Sequence, residues 1–142
     1  MLYTPLSKKA LQICFNAHKD QLDKSGLPYV FHPFCLAEQM DDEISVICAL
    51  LHDVVEDTDI SFDDLKKEGF PDSVIEVLSL LTHANEVPYM DYVKAIAKNP
   101  IAKKVKIADL KHNSDLSRLN FVDEYALKRN QKYLEALKIL SE

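Results

Sequence analysis

The stretch Leu50-Leu51-His52-Asp53-Val54-Val55-Glu56-Asp57-Thr58 puts one imidazole and three carboxylates at the end of an apolar run. Ile44, Val46, Ile47, Leu50, Leu51, Val54 and Val55 recur at helical rather than alternating spacing, which predicts a buried helix from Ile44 to Asp57. On such a helix residues four apart share a face, so His52 stands over Glu56 and Asp53 over Asp57. Desolvated carboxylates are costly unless paired or bound to a metal. Acids near a helix C-terminus also oppose the macrodipole. A divalent cation offsets both costs; the competing reading is an exposed, frayed last turn.

Two further residues are polar where their surroundings are apolar. His32 precedes Pro33 at the edge of a second helix, and Asp109 shares a stripe with Ile101, Val105 and Ala108. Together His32, His52, Asp53 and Asp109 supply two imidazoles and two carboxylates from three helices, with no thiol near them in sequence. This donor set is harder than that of a structural zinc site and suits Mn²⁺, Fe²⁺ or Zn²⁺. On an octahedral ion, positions remain for a water and a substrate oxygen, so the water is acidified and a phosphoryl oxygen polarised. Glu56 and Asp57, one turn beyond, are placed to handle protons.

The elements that must hold these groups are helices. The 142 residues suit one domain, 1–142, and include only two glycines, Gly26 and Gly69, with six prolines mostly between apolar runs. That scarcity of turn residues argues against a many-stranded sheet. Thr4-Pro5 opens a first helix to about Leu22, residues 23–29 form a loop, and Pro33 suits the first turn of a helix reaching about Met40. Asp41-Asp42 caps the central helix, and Ser61-Phe62-Asp63-Asp64 is a capping box for a short helix stopping at Gly69. Later helices start at Asp72, at Pro88 or Asp91, at Ile101, and at Asp123 or Asn120. His18 reads as a hydrogen-bonded core residue, His83 as a solvated loop residue, and Lys103, Lys104, Lys106 and Lys111 as a solvated face. The fold class is all-α: a bundle of roughly seven to nine helices.

Formal charge is −6, which argues against nucleic acid as a partner and requires a local basic cluster if the substrate is anionic. Cys14, Cys35 and Cys48 lack Cys-x-x-Cys spacing and read as reduced core thiols, in keeping with a cytoplasmic protein. No apolar run reaches the ~20 residues that span a bilayer, so no membrane partner is expected. Self-association is left open by the sequence.

Three stretches then carry a resemblance. Lys24-Ser25-Gly26-Leu27-Pro28-Tyr29-Val30-Phe31-His32-Pro33, Ala49 to Thr58, and Val105-Lys106-Ile107-Ala108-Asp109-Leu110-Lys111-His112-Asn113 resemble, in order and spacing, the HD-superfamily metal-dependent phosphohydrolases. They are most similar to the hydrolase domain of RelA/SpoT proteins and small alarmone hydrolases, over roughly residues 8 to 120. The resemblance implies a compact HD-domain bundle with Mn²⁺ held by His32, His52, Asp53 and Asp109. It implies removal of 3′-pyrophosphate from guanosine tetra- or pentaphosphate, with Glu56 and Asp57 assisting the water and the leaving group, and Lys24, Ser25 and Asn113 contacting substrate. Asp23 stands where the family usually has arginine against the guanine base. That difference gives weight to a second enzyme reading, an HD nucleotide phosphomonoesterase or other nucleotide phosphohydrolase. A third reading is a catalytically silent nucleotide-sensing or protein-binding HD module, against which the Glu56-Asp57 pair argues.

Overall fold

Capping residues set where the helices begin. Thr4 Oγ1 accepts the Ser7 amide at 3.0 Å while Ser7 Oγ accepts the Thr4 amide at 2.7 Å, opening α1 (Pro5–His18). The computed structural model describes residues 1–142 and continues with α2 (Phe31–Glu38), α3 (Glu43–Leu51), α4 (Val54–Asp57) and α5 (Phe62–Lys67). Then come α6 (Asp72–Leu81), α7 (Tyr89–Ile96), α8 (Pro100–Asn113), a 3₁₀ turn (Leu116–Arg118) and α9 (Glu124–Leu140). Asp42, Ser61, Asn99 and Asp123 cap α3, α5, α8 and α9 through their side-chain oxygens. Gly69, at φ +99°, supplies the left-handed residue that lets the chain leave α5. No helix is long and apolar enough to cross a membrane.

α3 is the axis. Every residue from Ser45 to Leu51 is buried, as a helix that is apolar all round requires. α1, α2, α6 and α8 pack around it, and α9 closes over α7 and α8. α2 and α8 pack against α3 and against each other, and polar side chains they turn inward meet His52 just past the end of α3.

The helix expected from Ile44 to Asp57 is interrupted: α3 stops at Leu51 and α4 starts at Val54. The His52 ring folds back so that Nδ1 lies 2.7 Å from the Ala49 carbonyl, the acceptor that the residue-53 amide takes in a continuous helix. Asp53 sits at φ −104°, ψ −3°, at the open edge of the helical region. The same-face argument that stacked His52 on Glu56 therefore loses its basis. α1 also ends four residues before Leu22, because the following segment closes on itself: the Tyr29 amide donates to the Gln21 carbonyl and the Asp23 amide to the Leu27 carbonyl, each at 2.8 Å.

Candidate active site

At the end of α3, side chains from three helices meet. His32 from the first turn of α2, His52 from the break after α3 and Asp109 from α8 bring ligating atoms within 4.8 Å of one another. All three are buried. Asp109 Oδ1 lies 2.8 Å from His32 Nε2 and 3.4 Å from His52 Nε2, and Asp53 Oδ2 lies 2.9 Å from His52 Nε2. Yet His52 Nε2 makes no aligned hydrogen bond; both carboxylate oxygens sit beside the direction a ring N–H would point. The ring's other nitrogen explains this. A carbonyl only accepts, so Nδ1 facing Ala49 carries the proton and the neutral ring keeps a lone pair on Nε2. A lone pair and two carboxylates converging without a hydrogen between them is the donor arrangement of a cation. The residues fit a divalent metal.

The electrostatics show the same demand for positive charge at this point. Burial alone lowers the His52 pKa, but Asp53 and Asp109 outweigh it and hold the imidazole well above its ordinary value. Burial alone raises Asp109, but Lys106 first, then His32 and His52, hold its carboxyl well below the usual range.

A second layer fixes these groups. Tyr29 donates its hydroxyl to Asp53 Oδ2. Lys106 Nζ donates to Asp109 Oδ2 at 2.9 Å, and Asn113 Nδ2 donates to Asp109 Oδ1 at 3.1 Å. Lys106 corrects an expectation. Its side chain is only 13% exposed and lies over the Tyr92 ring, rather than on a solvated face. It stands three residues before Asp109, so the rotation of α8 that turns Asp109 inward carries Lys106 with it. Lys104, by contrast, stays at the surface and pairs with Asp41 and Asp42.

Glu56 Oε1 accepts the His83 amide at 2.6 Å, so His83 is tied to the site by its backbone and stacked on Tyr92 by its ring. Burial, and then Asp53, push the Glu56 carboxyl above its ordinary range against the pull of that amide. Asp57 is raised by burial and by Asp53 as well, and faces Gln21 Nε2 at 3.5 Å. Glu56, Asp53, Asp109, Lys106 and Lys132 line one cavity of about 230 Å³. It adjoins a second, of about 280 Å³, through the shared Tyr29, Asn113 and Tyr133. Lys24, Ser25, Arg118 and Arg129 line that second space.

The sequence-predicted substrate residues divide here. Lys24 borders the second cavity, and burial together with Arg129 and Lys132 holds its ammonium below the ordinary value. Ser25 Oγ donates to the Arg118 carbonyl at 2.6 Å, tying the 19–30 loop to the 3₁₀ turn. Asn113 bonds Asp109 as well as lining both cavities. Asp23 Oδ1 accepts the Ser25 and Leu27 amides at 2.8 and 3.0 Å, so it holds the loop's shape, while Oδ2 lies 3.8 Å from the Arg118 guanidinium.

Sequence reasoning missed Arg129, Lys132 and Tyr133. They follow the i, i+3, i+4 rule on one face of α9, so their grouping was visible. Which way that face points is settled only by the fold, which closes it over the cleft. With Lys24 and Lys106, Arg129 and Lys132 form the local basic cluster that an anionic ligand requires in a chain of net charge −6.

An all-helical domain that gathers a histidine, a His-Asp doublet and a distant aspartate around one point is a domain of the HD type. No family model matches the chain. It is 34% identical over 119 residues to the GTP pyrophosphokinase of Streptomyces coelicolor, covering 75% of this chain and 14% of that protein. It is 30% identical over 114 residues to the guanosine-3′,5′-bis(diphosphate) 3′-pyrophosphohydrolase of Aquifex aeolicus, covering 72% and 16%. The bifunctional (p)ppGpp synthase/hydrolase SpoT of Escherichia coli is 33% identical over 96 residues, 65% of this chain and 14% of that protein. This chain thus spans a small part of the length of the curated relatives it matches. Among solved structures, a metazoan ortholog of SpoT described as hydrolysing ppGpp superposes with a TM-score of 0.77 at 25% identity, over 99% of this chain and 88% of that one. These likenesses support an HD-type, RelA/SpoT hydrolase-like domain.

Proposed function

We propose that this domain is a metal-dependent phosphohydrolase that removes pyrophosphate from the 3′ position of guanosine 3′,5′-bis(diphosphate)-type alarmones. The observation that carries the reading is the meeting of the buried His32, His52 and Asp109 with the half-buried Asp53, beside a cavity that Lys106 and Lys132 also line. His32 Nε2, His52 Nε2 and one oxygen each from Asp53 and Asp109 would hold the ion, with Mn²⁺ preferred for this hard donor set. When bound, the ion supplies Lewis acidity, favouring a hydroxide-like water and a polarised phosphoryl oxygen.

The chain's own residues do the rest. Glu56 Oε1 is occupied by the His83 amide, which leaves Oε2 to take a proton from the attacking water. Its raised pKa brings it nearer to neutral pH, where a general base works best. Attack by the water oxygen on phosphorus breaks the bond to the 3′ oxygen, leaves a 3′-hydroxyl and releases pyrophosphate. Asp57 is the second carboxyl able to carry a proton to the departing oxygen. Lys106 and Lys132 neutralise the phosphates in the smaller cavity, and Lys24, Ser25 and Asn113 face the nucleoside in the larger one. Its three unpaired cysteines suit a reducing cytoplasm.

The test is an assay of the purified protein with Mn²⁺ against guanosine 3′,5′-bis(diphosphate), resolving pyrophosphate from orthophosphate. Stoichiometric pyrophosphate and guanosine diphosphate are expected. Orthophosphate as the product moves the activity to a phosphomonoesterase, and no turnover across a nucleotide panel leaves a binding module.

A further inference from the structure

His112 takes no part in the reaction as described, yet it makes a close contact to a candidate ligand. Its Nδ1 lies 2.6 Å from Nδ1 of His32. The ring centroids are 4.9 Å apart and the planes differ by 22°. That centroid spacing is the nitrogen separation plus a ring radius at each end, so the rings meet edge to edge and nearly coplanar. The two nitrogens point at each other along the hydrogen-bond axis. Such a pair holds one hydrogen: two N–H groups would collide, and two lone pairs would repel with nothing between them.

Which ring owns that hydrogen depends on the far side of His32. His32 Nε2 faces Asp109 Oδ1 at 2.8 Å, toward the point where His52 and Asp53 also converge. A metal at that point requires a lone pair on Nε2, so the proton of the neutral ring must be on Nδ1. Nδ1–H then needs an acceptor. His32 is 2% exposed, so water cannot serve. His112 Nδ1 is the acceptor the fold provides. Its position is set from the backbone: the His112 carbonyl, in the last turn of α8, accepts from Arg118 Nη1 at 2.7 Å and from the Asp115 amide at 3.3 Å.

We infer that His112 is a positioning residue, a proton acceptor that fixes the Nδ1–H tautomer of His32 and so aims the Nε2 lone pair into the metal site. This rests on the reading of His32 as a ligand. Outer partners of ligating histidines are worth about 10–100-fold in metal affinity. The inference also gives α8 a second duty at the site, since Asp109 and His112 lie three apart on one face and act on the metal directly and through His32.

Zn²⁺, which is diamagnetic, is the probe. Its affinity is measured by competition with a chelating dye for the wild type, His112→Phe and His112→Asn, with circular dichroism to confirm folding. Phenylalanine keeps a ring and removes the acceptor. Asparagine restores an oxygen near the Nδ1 position. The expected result is about 10–100-fold weaker binding in His112→Phe and recovery to within about threefold in His112→Asn. Independently of either variant, ¹⁵N–¹H correlation of the histidine rings in Zn²⁺-loaded wild type should show His32 protonated at Nδ1 and His112 at Nε2. Equal affinity in a folded His112→Phe, or a loaded protein in which His112 carries Nδ1–H, overturns the inference while the metal site stands. A wild type that binds no Zn²⁺ removes the metal site and the inference together.

Discussion

The two ends of the cleft are built on different principles. At the metal end, His32, His52 and Asp109 are 2%, 5% and 4% exposed, and each hangs from a core helix or its immediate end. Every proposed ligand has a second bond: His32 to His112, His52 to Ala49, Asp53 to Tyr29, Asp109 to Lys106 and Asn113. At the other end, the 19–30 loop, the 3₁₀ turn and one face of α9 form a rim of exposed and half-buried cations, held by a few backbone contacts and the 3.8 Å Asp23–Arg118 approach. Breaking a buried ion pair typically costs about 3–5 kcal/mol, whereas exposed pairs are worth about 0–1 kcal/mol. The proposed metal site is therefore rigid, while the groups proposed to choose the substrate sit where substitutions are cheap. Loops and rims on a fixed scaffold are where specificity changes without loss of the fold.

The contrast is tested most severely by removing the metal. Stripping with a chelator should abolish hydrolysis and lower the melting temperature, because an ion that binds only the folded state stabilises it by mass action. Added Mn²⁺ should restore both. Activity that survives stripping would end the idea that one end of the cleft holds the chemistry.

Glu56→Gln comes next. Full Mn²⁺ occupancy with kcat down by about 10²–10⁴-fold is expected, the usual scale of general acid–base help. Metal content by atomic spectroscopy and turnover, measured on the same sample, separate the two. Loss of metal in this variant would merge groups that the structure keeps apart.

At the rim, Arg129→Gln or Lys132→Gln should raise KM about tenfold, equivalent to about 1.4 kcal/mol, with kcat within a few-fold. A large drop in kcat instead would mean that α9 grips the transition state and that the rim is not merely a recognition surface. Asp23→Asn should act in the opposite direction and more weakly. It keeps an acceptor for the Ser25 and Leu27 amides while removing a negative charge and releasing Arg118, so KM for the guanosine substrate should fall a few-fold. Asp23→Arg forfeits both amide bonds and should cost stability in a urea melt, by about 1–2 kcal/mol at the scale of lost caps.

The smallest effect concerns the thiols beneath the metal end. Burial raises Cys14 and Cys48 to about 12, with Asp53 adding to the first and Asp42 to the second. At pH 8, timed alkylation should label the partly exposed Cys35 and spare the other two. The sign for stability follows. Between 9 and about 12 the unfolded chain has lost these protons and the folded one keeps them, so stability falls as pH rises through that window. Rapid labelling of Cys14 in the native protein would show that the metal end opens readily and is not the rigid pole.

The sequence by itself determined the helices and which residues were out of place on them. Helical period, the Thr4, Asp42, Ser61 and Asp123 caps and the scarcity of glycine are local properties, written in residues a few positions apart. The same logic marked His32, His52, Asp53 and Asp109 as polar groups on apolar faces. Period fixes which residues share a face but not the direction in which that face points. Lys106 and the Arg129–Lys132–Tyr133 face were therefore readable as groups and not as parts of the cleft. The break at His52–Asp53 was hidden too, because a side chain taking a backbone acceptor looks in sequence like one more helical residue. The His32–His112 contact joins positions 80 residues apart. Only the packing of α2 against α8 brings those two nitrogens onto one axis, since a hydrogen bond is decided by tenths of an ångström that no local pattern encodes.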